Sequence, residues 1–255
     1  MRPVIGLSSN FKLDPEPPHS PQICLSAAYL DAVSAAGGVP QMLYVPESFD
    51  DAMLDELLSH VDGLVLTGGF DIHPRHYGQT PHPASTVLPP RRDNLEIALA
   101  RRADAAGLPI LAICLGIQVM HVARGGKLIQ HVDDLPQVTP VTHHLPDDTN
   151  AYHMVSVTPG SRLHQILGAD EVEVNSRHHQ IVDPDVPVRG LTPVAFAPDG
   201  VLEGAEDPER PFLVCVQWHP ENLINRPEHL RLFQAHVMAA DEWRQSGRRQ
   251  SAAVG

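Results

Sequence analysis

Cysteine is scarce in this 255-residue chain: Cys24, Cys114 and Cys215 are the only three, and they lie far apart. An odd number so spaced supplies no disulfide framework and points to the reducing cytoplasm. No apolar run approaches the ~18 residues of a membrane-spanning helix. The N-terminal Met1-Arg2-Pro3-Val4-Ile5-Gly6 lacks the apolar core of a secretory signal. Basic residues are also few, 18 Lys and Arg against 31 Asp and Glu, for a formal charge of −13. That balance argues against nucleic acid or an anionic membrane as partner. Internal repeats and linkers are missing too. Residues 1–244 therefore read as one domain, with 245–255 an expected disordered tail of Ser, Gly, Ala and Arg.

What is present is an alternation of strand and helix. Pro3 to Ser9 reads as a first strand, and the loop Asp14 to Pro21, with four prolines in eight residues, cannot be helical. A helix is expected from Cys24 to Ala36, stopped by Gly37-Gly38, then a strand over Val39 to Val45. Phe49 to His60 reads as an acidic helix, and Val61 to Leu66 as a strand running into Thr67-Gly68-Gly69. Phe70 to Arg92, with five prolines and three histidines, shows no periodicity and is expected to fold over the strand ends. A helix over Asp93 to Ala106 leads to the apolar strand Pro109 to Ile113. Beyond Gly126, shorter strands are expected at Lys127 to His131, Tyr152 to Thr158, Glu171 to Asn175, Val194 to Ala197 and Val201 to Ala205. Phe212 to Gln217 reads as an apolar strand and Glu228 to Trp243 as the last helix. The fold class is α/β, a flavodoxin-like doubly wound and mostly parallel sheet flanked by helices, with a small antiparallel addition.

Cys114 follows the strand Pro109 to Ile113 and precedes a helical run through Ile117, Met120 and Val122. A cysteine at such a junction sits on a sharp turn, its sulfur clear of the sheet and its thiolate favoured by the helix N-terminus. Ala112 and Gly116 are the small neighbours that a strained elbow needs. A cysteine nucleophile requires a base and a group to orient the base. His219 and Glu221 offer both, 105 residues downstream, in Gln217-Trp218-His219-Pro220-Glu221 at another strand end. Pro220 holds His219 extended, so the side chains flanking the proline can turn to one side. Two backbone N–H groups are needed for the oxyanion of an acyl intermediate. Leu115 is one candidate, and Gly68-Gly69 the other.

Ala-Ile-Cys-Leu-Gly-Ile-Gln (112–118) together with Gln-Trp-His-Pro-Glu (217–221) is similar to the class I glutamine amidotransferases. Thr-Gly-Gly-Phe-Asp-Ile-His-Pro-Arg-His-Tyr (67–77), Arg-Asp-Asn-Leu-Glu (92–96) and Asn-Ser-Arg-His-His-Gln (175–180) resemble, more narrowly, the γ-glutamyl-γ-aminobutyrate hydrolase branch, cysteine peptidase family C26. The resemblance spans residues 3 to 240. It implies a triad of Cys114, His219 and Glu221 that cleaves a small γ-glutamyl amine, of the γ-aminobutyrate or polyamine type, through a thioester. Gln118, His178, His179 and Gln180 then become expected contacts of the glutamyl moiety. One departure is Leu115, where this branch often has arginine; the backbone donor survives, but any arginine contact is lost.

Other histidines carry less. His73, His76 and His82 have neither the spacing nor the nearby acids of a metal site, so no metal and no cofactor are expected. His143-His144 reads as a solvated loop, and Cys24 and Cys215 as core residues. Two alternatives stay open: a glutaminase that passes ammonia to a separate synthase, and a silent binding domain on the same fold. The expected partner is a small γ-glutamyl substrate, and a homodimer is the default assembly. The amine half of the substrate is expected to touch segments 70–92 and 133–150.

Overall fold

Apolar runs of strand length, separated by helices, pair into a nine-stranded sheet covered on both faces. The computed structural model describes residues 1–13, 21–44, 46, 48–136, 141–145 and 149–247. The first half contains β1 (Val4–Leu7), β2 (Asn10–Leu13), β3 (Pro21–Cys24), α1 (Ala27–Ala35) and β4 (Val39–Met42). It continues with α2 (Asp51–Ser59), β5 (Gly63–Leu66), α3 (Pro90–Ala106), β6 (Ile110–Ile113) and α4 (Leu115–Ala123). The second half holds β7 (Leu128–Ile129), β8 (Ala151–Val157), α5 (Arg162–Leu167), β9 (Glu171–Ser176) and β10 (Ile181–Val182). It ends with β11 (Thr192–Phe196), β12 (Leu202–Glu206), β13 (Leu213–Val216) and α6 (Pro227–Gln245).

The large sheet runs β4-β1-β5-β6-β13-β12-β11-β8-β9. From β4 to β13 neighbours are parallel, and from β13 to β9 they are antiparallel. This is the doubly wound α/β fold, with an antiparallel extension. The central strands are buried on both faces, as parallel strands between helices must be. Leu64, Leu66, Ile110 and Ala112 pack with α2, α3 and α4, whereas Val65, Leu111 and Ile113 pack with α1, α5 and α6. Among the described residues no helix is long and apolar enough to cross a membrane.

Three expectations change. Cys24, expected on a helix and in the core, ends β3 and is exposed. The helix begins instead at Ala27, where Ser26 Oγ accepts the Ala28 N–H at 3.4 Å. α5 carries no periodic signal because it has only six residues, yet Ser161 caps its start and Gly168, at φ 70°, its end. His143, expected in a solvated loop, is only 2% exposed. Cys215 does lie in the core, where burial pushes its thiol up to about 12. Gln245 still belongs to α6, and 248–255 of the expected tail lie outside the described residues.

Candidate active site

β6 delivers Cys114 to the carboxyl edge of the parallel strands, and α4 starts at the next residue. The turn holds Cys114 at φ 54° and ψ −103°, making it the one non-glycine residue with positive φ among those described. Such a backbone costs on the order of 1–3 kcal/mol. It sets the sulfur before the first turn of α4, whose N–H groups lack intrahelical acceptors. Glycine at 116 follows from the same approach. A Cβ there would stand 2.5 Å from the Leu66 carbonyl oxygen.

β13 pairs with β6 in parallel register, Val216 opposite Ile113, so the chain leaving it carries His219 to the same edge. Asn175, at the end of β9, clamps that segment. The His219 N–H donates to Asn175 Oδ1 at 2.9 Å, and Asn175 Nδ2 donates to the His219 carbonyl at 3.0 Å. Across Pro220, Glu221 Oε1 lies 2.7 Å from His219 Nδ1. Cys114 lines the same cleft as this ring. Burial pulls the imidazolium pKa down, but the charges and hydrogen bonds of Glu221 and Cys114 outweigh it and push it up to about 10. At neutral pH His219 holds its proton between a carboxylate and a sulfur.

The glycine turn after β5 is shaped by its neighbours. A Cβ on Gly68 would meet His219 Cε1 at 2.7 Å and Tyr29 Oη at 2.8 Å. The Gly68 N–H donates to Tyr29 Oη at 2.9 Å, and its carbonyl accepts from Arg92 Nη2 at 3.0 Å. Arg92 is fully buried against Glu96, Nε to Oε1 3.0 Å, so the Arg-Asp-Asn-Leu-Glu block of α3 supports this turn from below. Among the described residues the Gly69 N–H has no protein acceptor, and that of Leu115 opens α4. Tyr29 remains a hydroxyl, since burial and the charges of Glu221 and Cys114 push its pKa well above the ordinary value.

These groups open on a cleft of about 680 Å³. Asn10, Phe11 and Cys24 of the β2–β3 hairpin line one part, and Phe70, Asp71 and Thr86 another. Arg177 and His179 also line it, with Arg177 Nη2 4.0 Å from Glu221 Oε1. His179 Nε2 pairs with Asp71 Oδ2 at 3.1 Å, which raises its pKa. Gln118 and His178 reach the cleft as well, but their polar atoms are engaged or directed elsewhere. Gln118 Nε2 donates to the Gln180 carbonyl at 2.7 Å, and His178 Nε2 faces Glu203 Oε1 at 3.4 Å. Gln180 Nε2 lies 3.5 Å from Tyr77 Oη. His76 and His82 pair with different carboxylates, Asp93 at 2.7 Å and Asp134 at 3.2 Å, and so do not converge.

Sequence reasoning did not single out Tyr29, Asp71, Asn175 or Arg177. Asp71 lies inside the 67–77 block, and Asn175 and Arg177 inside the 175–180 block, that carry the family resemblance. Tyr29 sits on α1 with no motif around it, and only packing brings its hydroxyl to Gly68 and His219.

A parallel α/β sheet with a buried cysteine on a strained strand-to-helix turn, beside a histidine–carboxylate pair at the next strand end, defines a glutamine-amidotransferase-like protein. The Peptidase C26 family model matches residues 3–221, and the chain belongs to that family. It is 38% identical over 240 residues to the Mycobacterium tuberculosis protein named "Putative glutamine amidotransferase Rv2859c", covering 94% of this chain and 75% of that one. It is 32% identical over 213 residues to the γ-glutamyl-γ-aminobutyrate hydrolase PuuD of Escherichia coli K12, 77% of this chain and 78% of that one. In fold it is similar to the glutaminase domain of Trypanosoma brucei CTPS with bound acivicin, at a TM-score of 0.63 and 16% identity. That match covers 92% of this chain and 93% of the other. Family and relatives make the protein a hydrolase of the glutamine-amidotransferase-like kind.

Proposed function

We propose that the protein hydrolyses the γ-glutamyl amide bond of a small γ-glutamyl amine, such as γ-glutamyl-γ-aminobutyrate or a γ-glutamyl polyamine. The observation that carries this reading is the His219 ring, held 2.7 Å from Glu221 and sharing one cleft with Cys114. Cys114 Sγ attacks the γ-carbonyl carbon, and the oxygen takes the electron pair. The N–H groups of Gly69 and Leu115 receive that oxyanion. Gly68, its own N–H held by Tyr29, supports the turn. His219 then gives its proton to the amide nitrogen, the C–N bond breaks, and the amine leaves a γ-glutamyl thioester. Water attacks the thioester as His219 takes its proton, releasing glutamate and freeing the Cys114 sulfur. Arg177 supplies a cation for the substrate carboxylate, with His179 and Gln180 beside it.

The test is incubation of purified protein with γ-glutamyl-γ-aminobutyrate, with glutamine in a parallel arm, scored by free glutamate. Release from the first substrate and its loss in Cys114→Ala support the reading. Release from glutamine alone, raised by a co-purifying protein, would replace it with the ammonia-supplying glutaminase suggested by the names of relatives.

A further inference from the structure

Beside the cleft, which His178 also lines, the loop at His143, β8, the 175–180 block and β12 bring His143, His153, His178 and Glu203 together, each side chain at most 6% exposed. His143 Nδ1 and His178 Nε2 each stand 3.4 Å from Glu203 Oε1, and His153 Nε2 stands 3.6 Å from it. These gaps exceed the ~2.7–2.9 Å of a charge-assisted hydrogen bond. None of the four atoms has a hydrogen-bond partner. Ligands bound about 2.0–2.1 Å from a tetrahedral zinc, by contrast, stand about 3.3–3.4 Å from one another.

The outer hydrogen bonds agree. His143 Nε2 donates to Asp199 Oδ2 at 2.9 Å, and His153 Nδ1 donates to the Met154 carbonyl at 3.2 Å. When these imidazoles are neutral, the opposite nitrogen of each offers a lone pair toward Glu203, the arrangement by which carboxylates and carbonyls orient metal-ligating histidines. His143 Nδ1, His153 Nε2 and a Glu203 oxygen lie within 4.8 Å of one another.

We propose that His143, His153 and Glu203 form a buried site for a divalent transition cation, zinc in the first instance, with His178 beside Glu203. The ion is structural. It ties β8, β12 and the loop at His143 together, beside the 175–180 block whose Asn175 clamps His219.

The experiment strips the full chain with a chelator, reloads it with Zn²⁺, and measures bound zinc by elemental analysis and stability by thermal unfolding. One zinc per chain and a higher unfolding temperature after reloading are expected. Cys114→Ala, which removes one of the two cleft thiols, and His144→Asn, in the outer group of His131, Asp133 and His144, should both keep the zinc. His153→Asn and the near-isosteric Glu203→Gln should lose it, and Asp199→Asn should weaken binding about 10–100-fold. Wild type that takes up no zinc overturns the proposal. So does zinc retained by folded His153→Asn or Glu203→Gln, or zinc lost with Cys114→Ala or His144→Asn.

Discussion

Glu221 and Glu203 are both buried carboxylates that face histidine, yet their surroundings differ in kind. Glu221 Oε1 takes one imidazole at 2.7 Å, beside a sulfur and a cleft. Glu203 Oε1 has three imidazoles around it, none nearer than 3.4 Å. The first geometry is that of a shared proton, which draws donor and acceptor together. The second lacks that closeness: the imidazole nitrogens stand beyond the length of a charge-assisted hydrogen bond. Residue type does not distinguish the two clusters; separation does. They are joined through the 175–180 block, which sends Asn175 to His219 and His178 to Glu203.

Changes at the Cys114 end should dominate activity. Cys114→Ala is expected to lower glutamate release by about four orders of magnitude or more, with little change in the unfolding curve. Undiminished release would break the assignment of this end as the reactive one. Glu221→Gln should lower kcat/KM by about 10²–10⁴-fold, the usual range for disabling acid–base machinery. It should also move the alkaline limb of the pH profile downward, because the His219 pKa of about 10 depends in part on the Glu221 charge.

The same shift has a sign for stability. The folded value lies above the ~6.5 of an unperturbed histidine. Protonated His219 therefore stabilises fully below pH ~6.5, and that contribution is lost as pH rises through about 10. Denaturant titrations of wild type across this window should show the decline, and Glu221→Gln should show it at lower pH.

Asn175→Ala probes the link between the two ends. It removes both bonds to the His219 backbone and should destabilise by about 1–3 kcal/mol, with a larger loss in kcat than in KM. Gly116→Ala should cost about 1–3 kcal/mol by denaturation, since its new Cβ meets backbone that has little room to move. The smallest effect is expected at the exposed His60–Glu56 pair, 61% and 74% exposed. His60→Ala there should change stability by less than about 0.5 kcal/mol.

Much of the architecture was legible because its signals are local. In the parallel half, β1, β5, β6 and β13 are short apolar runs, and α1 and α2 open on the capping residues Ser26 and Asp50. Cys114 at a strand-to-helix junction and His219-Pro220-Glu221 at a strand end could likewise be read from neighbours in the chain. The β2–β3 hairpin and α5 were not legible, the first because its prolines masked it and the second because six residues carry no period. Tyr29, 39 residues from Gly68 and 190 from His219, had no local signal at all.

Residue order alone determined the strand–helix alternation, the turn at Cys114 between strand and helix, and the placing of a histidine and a carboxylate two residues apart. Those are matters of periodicity and backbone restriction, which act over a few residues. Tertiary structure decided that Gly68 gives its N–H to Tyr29 and that Arg92 lies buried beneath it. It also decided that His143, His153 and His178 meet around Glu203. Such meetings join segments distant in sequence, through sheet pairing and burial, and no pattern within a single segment records them.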